Sequence, residues 1–312
     1  MMIPNKLNFG DEIRVIAPSR SLSIIREEVF DSALEYLTNK GYKISFSKNC
    51  RELDDCNSSS IYSRIEDLHD AFLIKNVKAI LTCIGGFNVN QILEYIDYSI
   101  IIRNPKIICG FSDITALLNS IYAKTGLITY HGPHFSSFGF KKEIEYTNAY
   151  FEKCLHKNET FIIEPSKLAK EYYVIQEGST QGEIVGGNLC TLNLLQGTEY
   201  MPDLKNKILF LEDDNIVGDY FRYEFDRNLQ SLTQTTGIDG VKGIVFGRFE
   251  DSCKMDINTI RKMISMKKQL KNIPIISNVD FGHEYPFVTL PIGGVVKIEA
   301  NASKVSLELV KH

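Results

Sequence analysis

The stretch Ile107-Ile108-Cys109-Gly110-Phe111-Ser112-Asp113-Ile114-Thr115 runs from an apolar segment through a glycine into the opening of a helical pattern. Its physical reading is a buried strand, a sharp turn and a helix start in immediate succession. The same transition occurs upstream, where Lys78 to Ile84 (KAILTCI) reads as a buried strand and Gly85-Gly86-Phe87-Asn88 follows it. Working outward, Glu12 to Ala17 reads as a strand. A helical face of Val29, Phe30, Ala33 and Leu37 comes next and ends at Gly41 as a C′ residue. Tyr42 to Ser47 is a second strand and Ile61 to Lys75 a helix. Lys106 to Cys109 is another strand, before a helix over Asp113–Lys124 and a strand over Leu127–Tyr130. Strands alternating with helices of this length imply the α/β class, with a mainly parallel sheet covered on both faces. The expected N-terminal unit is therefore a flavodoxin/Rossmann-like parallel-sheet domain.

Glu143 to His156 reads as the closing helix of that domain, over residues 1–156. Residues 157–181 mix short strands with polar and charged side chains and read as a linker region. Residues 182–312 form a smaller α/β domain with more β character. Its strands lie near Lys207–Leu211, Val241–Phe246 and Pro274–Val279, with β segments at Gly294–Glu299 and Lys304–Leu309.

Composition bounds the function. The 312 residues are 44% hydrophobic and 24% charged, the profile of an ordinary globular protein. Lys and Arg number 35 against 39 Asp and Glu, a net charge of −4, and no basic run stands out. A nucleic-acid partner or a polybasic membrane contact is not expected. Apolar runs such as Ile100-Ile101-Ile102 fall far short of the roughly 18 residues that span a bilayer. Met1 to Asp11 lacks a charged region followed by an apolar one, and the seven cysteines form no CxxC pair. Reduced thiols and a cytoplasmic location are the expectation. Without an H-x-x-x-H, a Walker A loop or a G-x-G-x-x-G after the first strand, neither a metal nor a cofactor is expected.

Four segments carry candidate chemistry. On the turn after a strand, Ser112 would have its hydroxyl lifted above the sheet edge near a helix start, as in a nucleophile elbow. The second glycine of G-x-S-x-G is absent, and on spacing alone Ser112 reads more readily as the N-cap of its helix, since serine caps far outnumber serine nucleophiles. Gly85-Gly86 would let the backbone approach a ligand and turn N–H groups into a crevice, or would simply make a tight turn. Lys207 to Asp214 (KILFLEDD) is an apolar strand ending in Glu212, Asp213 and Asp214, any of which could orient a histidine. Phe281-Gly282-His283-Glu284 leaves a strand through a turn, so His283 is a candidate general base, with His131 its rival. His69, His156 and His312 fall on helices or at the tail.

Taken in order, these segments resemble the LD-carboxypeptidase family of serine peptidases. The resemblance rests on Gly85-Gly86, Asn104-Pro105-Lys106, Gly110-Phe111-Ser112-Asp113 and Tyr130-His131-Gly132-Pro133 in the first half. In the second half it rests on Gly186-Gly187-Asn188-Leu189, Leu209-Phe210-Leu211-Glu212-Asp213, Phe281-Gly282-His283 and Thr289-Leu290-Pro291-Ile292-Gly293. Within the family, Gly86-Phe87-Asn88-Val89-Asn90-Gln91 is closest to the microcin C immunity branch. Val89 stands where that branch has serine, and the chain has no tryptophan to stack on a nucleobase.

The resemblance implies a Ser112–Glu212–His283 triad at the domain interface. Its oxyanion hole would come from the backbone N–H of Asp113 and that of Gly86 or Phe87, beside Gly85. It further implies hydrolysis of a murein tetrapeptide or an aminoacyl-nucleotide through an acyl-enzyme, in a homodimer. The alternative is a non-catalytic two-domain binding protein that uses the same cleft for a peptide or nucleotide.

Overall fold

In the computed structural model, which describes residues 1–140, 142–169, 171–302 and 304–312, strands and helices alternate through the first half. The strands are β1 (Glu12–Ile16), β2 (Lys43–Phe46), β3 (Val77–Thr82), β4 (Ile107–Gly110) and β5 (Thr129–His131). The helices are α1 (Glu27–Asn39), α2 (Ile61–Leu73), α3 (Tyr98–Arg103), α4 (Ile114–Thr125) and α5 (Ile144–His156). Successive side chains of a strand point to opposite faces, so consecutive burial means that both faces are covered. Ile80 and Leu81 of β3, and Ile107 and Ile108 of β4, are at most 1% exposed. Helix α1 buries Val29, Ala33 and Leu37, and Gly41 follows it at φ +93°.

The five strands pair in parallel in the order β2-β1-β3-β4-β5. This is the flavodoxin-like order, in which the connections diverge between β1 and β3 and open a crevice at the carboxyl ends. The loops leaving β1, β3 and β4 carry Arg20, Gly85-Gly86 and Ser112, so all three line that edge.

The second half contributes β6 (Phe161–Ile162), β7 (Tyr173–Gln176), β8 (Gly178–Asn188), β9 (Lys207–Glu212), β10 (Gly243–Gly247), β11 (Ile275–Val279), β12 (Leu290–Ile292), β13 (Val295–Asn301) and β14 (Lys304–Lys311). All but β12 form one sheet in the order β6-β14-β13-β8-β9-β10-β11-β7. Strands β8 to β11 are parallel, and their carboxyl ends hold Asn188, Glu212, Arg248 and the loop to His283.

Two boundaries differ from the sequence reading. Residues 157–181, expected as a linker, supply β6 against β14, β7 against β11 and the start of β8 against β13. Strands β6 and β7 lie at the two edges of the sheet and are only two and four residues long, so the polar and charged residues between them dominate the reading of the stretch. Strand β12 leaves the second half altogether and pairs antiparallel with β5, tying the two units together. Among the described residues, no helix is long and apolar enough to cross a membrane.

Candidate active site

Ser112 sits between β4 and α4 with φ +60°, a left-handed conformation that is strained for a residue with a Cβ. That geometry makes the sharp strand-to-helix turn expected from the sequence, and the N-cap reading of Ser112 does not hold. The cap position of α4 is Asp113, whose side chain makes no capping bond. The Ser112 hydroxyl instead lies 3.1 Å from His283 Nε2. Gly85 closes over the serine, for a Cβ built there would sit 3.0 Å from Ser112 Cβ and 3.1 Å from its Oγ.

His283 Nδ1 lies 2.7 Å from Oε2 of Glu212, which is 1% exposed. A carboxylate can only accept, so Nδ1 carries the proton and Nε2 of the neutral ring is free to accept from Ser112. Gly282, at φ +102°, lets the chain pass against Glu212: a Cβ there would be 2.6 Å from Glu212 Oε2. Of the three carboxylates at the end of β9, only Glu212 faces Nδ1. Asp213 accepts from Asn188 Nδ2 and Cys190 N, while Asp214 Oδ2 lies 3.7 Å from His283 Nε2.

Burial of the imidazole lowers its pKa. The charge and hydrogen bond of Glu212, with Asp214 and Asp213 behind them, outweigh burial and raise it to about 9. Asp213 is pushed up to about 7 by burial and by Glu212 and Asp214 beside it.

Residues without a visible sequence signal hold these groups in place. The buried Asp113 carboxylate accepts from Ser19 Oγ and from the backbone N–H groups of Asn88 and Val89, which fixes the loop after β3. Arg64 secures the same loop through the Asn88 carbonyl and Gln91. On the other side, Arg248 bonds the Asp280 carboxylate and the Tyr285 carbonyl, clamping the loop that carries His283. His134 is fully buried under the elbow, stacked on Phe111 at 4.3 Å and bonded through Nδ1 to Thr82. Phe111 also meets the His283 ring edge-on at 5.2 Å.

His131 is buried with neither ring nitrogen partnered, and burial lowers its pKa to about 4. It makes no bond to Ser112. His69, His156 and His312 bond Asp97 N, Tyr42 Oη and the Cys154 carbonyl, away from this cluster. Among the described residues, no group of three or more His, Cys, Asp or Glu is arranged to hold a metal ion.

A cleft of about 190 Å³ opens beside Ser112, between Phe87 and a wall made of Leu194, Ile216 and Phe225. Among the described residues, the backbone N–H groups of Asp113, Gly86 and Phe87 donate to no protein acceptor. The arrangement can move a proton from a hydroxyl to an imidazole backed by a carboxylate, next to free N–H donors.

Known proteins share this architecture. The LD-carboxypeptidase N-terminal domain matches residues 13–132, and the LD-carboxypeptidase C-terminal domain matches residues 181–298. YocD of Bacillus subtilis (strain 168) is 45% identical over 328 residues, covering 100% of both chains. The crystal structure of an MccF-like protein from Bacillus anthracis (strain Ames) superposes with a TM-score of 0.98 at 49% identity, covering 100% of both chains. The microcin C7 self-immunity protein MccF of Escherichia coli is 32% identical over 96% of this chain and 94% of its own. A solved structure of MccF in complex with glutamyl sulfamoyl guanosine has a TM-score of 0.86 at 27% identity, covering 100% of this chain and 99% of the other. With both domains matched in chain order and full-length relatives at this identity, the chain belongs to the LD-carboxypeptidase family.

Proposed function

We propose that this family member is a serine-type amide hydrolase in which Ser112 is the nucleophile, His283 the general base and Glu212 the group that orients it. The observation that carries the reading is the unbroken contact from the Glu212 carboxylate through the imidazole to a hydroxyl on a strained turn. In the reaction, Ser112 Oγ attacks the carbonyl carbon while its proton passes to His283 Nε2. The developing oxyanion would be met by the N–H of Asp113 and that of Gly86 or Phe87, each donor contributing about 3–4 kcal/mol. Collapse breaks the C–N bond, and His283 returns the proton to the leaving amine. Water, activated by the same imidazole, then releases the acid and frees Ser112.

Two substrate classes fit. The LD-carboxypeptidase description supports a peptide substrate, and the sequence resemblance implies a murein tetrapeptide losing its terminal D-alanine. MccF with its glutamyl sulfamoyl guanosine supports an aminoacyl-nucleotide, and the exposed ring of Phe87 at the cleft offers a face for a base to stack on.

The test is a mass-spectrometric competition. The protein and its Ser112→Ala variant receive a murein tetrapeptide and an acidic aminoacyl-sulfamoyl-adenosine together. D-alanine alone marks the peptide substrate, and free amino acid with the sulfamoyl-nucleoside marks the other. Binding of either compound without turnover, with no labelling of Ser112 by a serine-reactive phosphonate, would replace the hydrolase with a binding protein.

A further inference from the structure

We propose that Arg20 binds an anionic group carried by the leaving half of the substrate, an α-carboxylate or a sulfamoyl or phosphoryl group next to the departing nitrogen. The proposal rests on the hydrolase reading above and extends it to a residue that the triad does not use.

The path of the proton fixes which side of Ser112 the leaving group occupies. His283 must return its proton to the departing nitrogen, so that nitrogen lies within reach of Nε2. Two clefts meet at Ser112, and only one of them is also lined by His283. That one, about 310 Å³ in volume, is the leaving-group side. Arg20 lines it and is, among the described residues, the single lysine or arginine lining either cleft.

Its position is built rather than incidental. The Arg20 backbone N–H and side-chain Nε both reach the Gly85 carbonyl, at 3.4 and 3.2 Å. The guanidinium carbon stands 5.6 Å from the centre of the Phe87 ring. With Nε engaged, the two terminal NH₂ groups have no protein acceptor among the described residues. They form a planar fork of the kind that binds carboxylates and phosphates in bidentate fashion.

Two carboxylates share the cleft, and among the described residues neither pairs with Arg20. Asp214 accepts from Ile216 N and faces His283, and Glu250 accepts from Ser252 Oγ. Asp214, beside Nε2, stands where a newly formed ammonium would appear. Arg20 and Asp214 together match a released amino acid, anion at one end and cation at the other.

The experiment uses the full chain and two pairs of ligands. Tetrapeptide ending in D-alanine is compared with the same peptide ending in D-alaninamide, and aminoacyl-sulfamoyl-adenosine with its uncharged aminoacyl-amide counterpart. Turnover is measured for wild type, Arg20→Ala and Arg20→Lys. Affinity is measured by calorimetry with and without Arg20→Ala in a Ser112→Ala background, so that the answer does not depend on turnover.

Loss of a charge-assisted fork predicts a 10- to 100-fold (order-of-magnitude) rise in KM or Kd for the charged member of the pair that binds, with its neutral counterpart nearly unchanged. Arg20→Lys should recover part of the loss. The pair that responds tells carboxylate from sulfamoyl. Equal losses for charged and neutral ligands would show that Arg20 only supports Gly85, and would overturn the proposal, as would wild-type protein that ignores the charge. Absence of turnover together with a charge-dependent Arg20 effect on Kd would remove the hydrolase reading and leave the anion site standing.

Discussion

Asp214 Oδ2 stands 3.7 Å from His283 Nε2, the same ring nitrogen that meets Ser112 Oγ. Together with Glu212 on the opposite nitrogen, it favours the charged imidazolium, and the pKa of His283 is raised to about 9 against the lowering effect of burial. A general base must be unprotonated, so the active fraction falls as pH drops below that value. The expected outcome is a kcat/KM that climbs through neutral pH and levels off only in the alkaline range. Asp214→Asn removes a negative charge and should move the rising limb to lower pH. A limb at or below pH ~6.5, the ordinary histidine value, would contradict the assignment, as would a limb unmoved by Asp214→Asn.

In the proposed triad Ser112 and His283 share one proton, so their losses should not add. Each of Ser112→Ala and His283→Ala is expected to lower kcat by about 10⁴-fold or more, and the double variant no further. Glu212→Gln keeps the size of the side chain and removes its charge, with an expected loss of about 10³–10⁴-fold. Steady-state kinetics on whichever substrate proves active decides the matter. Multiplicative losses in the double variant would mean that the two residues serve separate steps.

Gly282 has a structural role that kinetics and stability can separate. At φ +102° a side chain is strained, and a Cβ would press on Glu212 at 2.6–2.9 Å. Gly282→Ala should destabilise the fold by about 1–3 kcal/mol and reduce kcat, because Glu212 must shift away from Nδ1. Urea denaturation beside kinetics is the check. Unchanged values of both would mean that the loop relaxes freely.

The parts of this structure that were legible in sequence share a physical cause. Parallel strands covered on both faces must be apolar throughout, so β3 and β4 were readable from KAILTCI and from Ile107-Ile108-Cys109. Position on the turn after such a strand also marked Ser112, but its φ of +60° has no composition signature, which left a cap and a nucleophile indistinguishable. The three carboxylates at the end of β9 could not be ranked from the residues themselves, because which one faces His283 depends on contacts 71 residues apart. Edge strands β6 and β7 were hidden by their shortness among charged residues, and β12 by its return to the other sheet. His134, Arg64, Arg20 and Arg248 act through long-range bonds to backbone and buried groups, and such bonds leave no periodicity.

Arg248 gives the last test, because it ties the His283 loop to a fully buried carboxylate. Asp280 is 0% exposed, and the Arg248 side chain is 12% exposed. Arg248 Nε bonds Asp280, and Nη2 bonds the Tyr285 carbonyl two residues past His283. Ser166 supplies two further donors to Asp280 through its N and Oγ. Removing the cation leaves a buried charge with hydrogen bonds but no counter-ion, which typically costs about 3–5 kcal/mol. The Ser166 donors offset part of that, so Arg248→Met should destabilise the protein by about 3 kcal/mol. Adding Asp280→Asn should recover part of the loss, since the amide oxygen still accepts and no charge remains. Activity separates the clamp from the charge pair: in the double variant the His283 loop still lacks its bond to Tyr285, so kcat should stay low while the denaturation midpoint recovers. Recovery of both together would mean that Arg248 serves only to neutralise Asp280 and does not position His283.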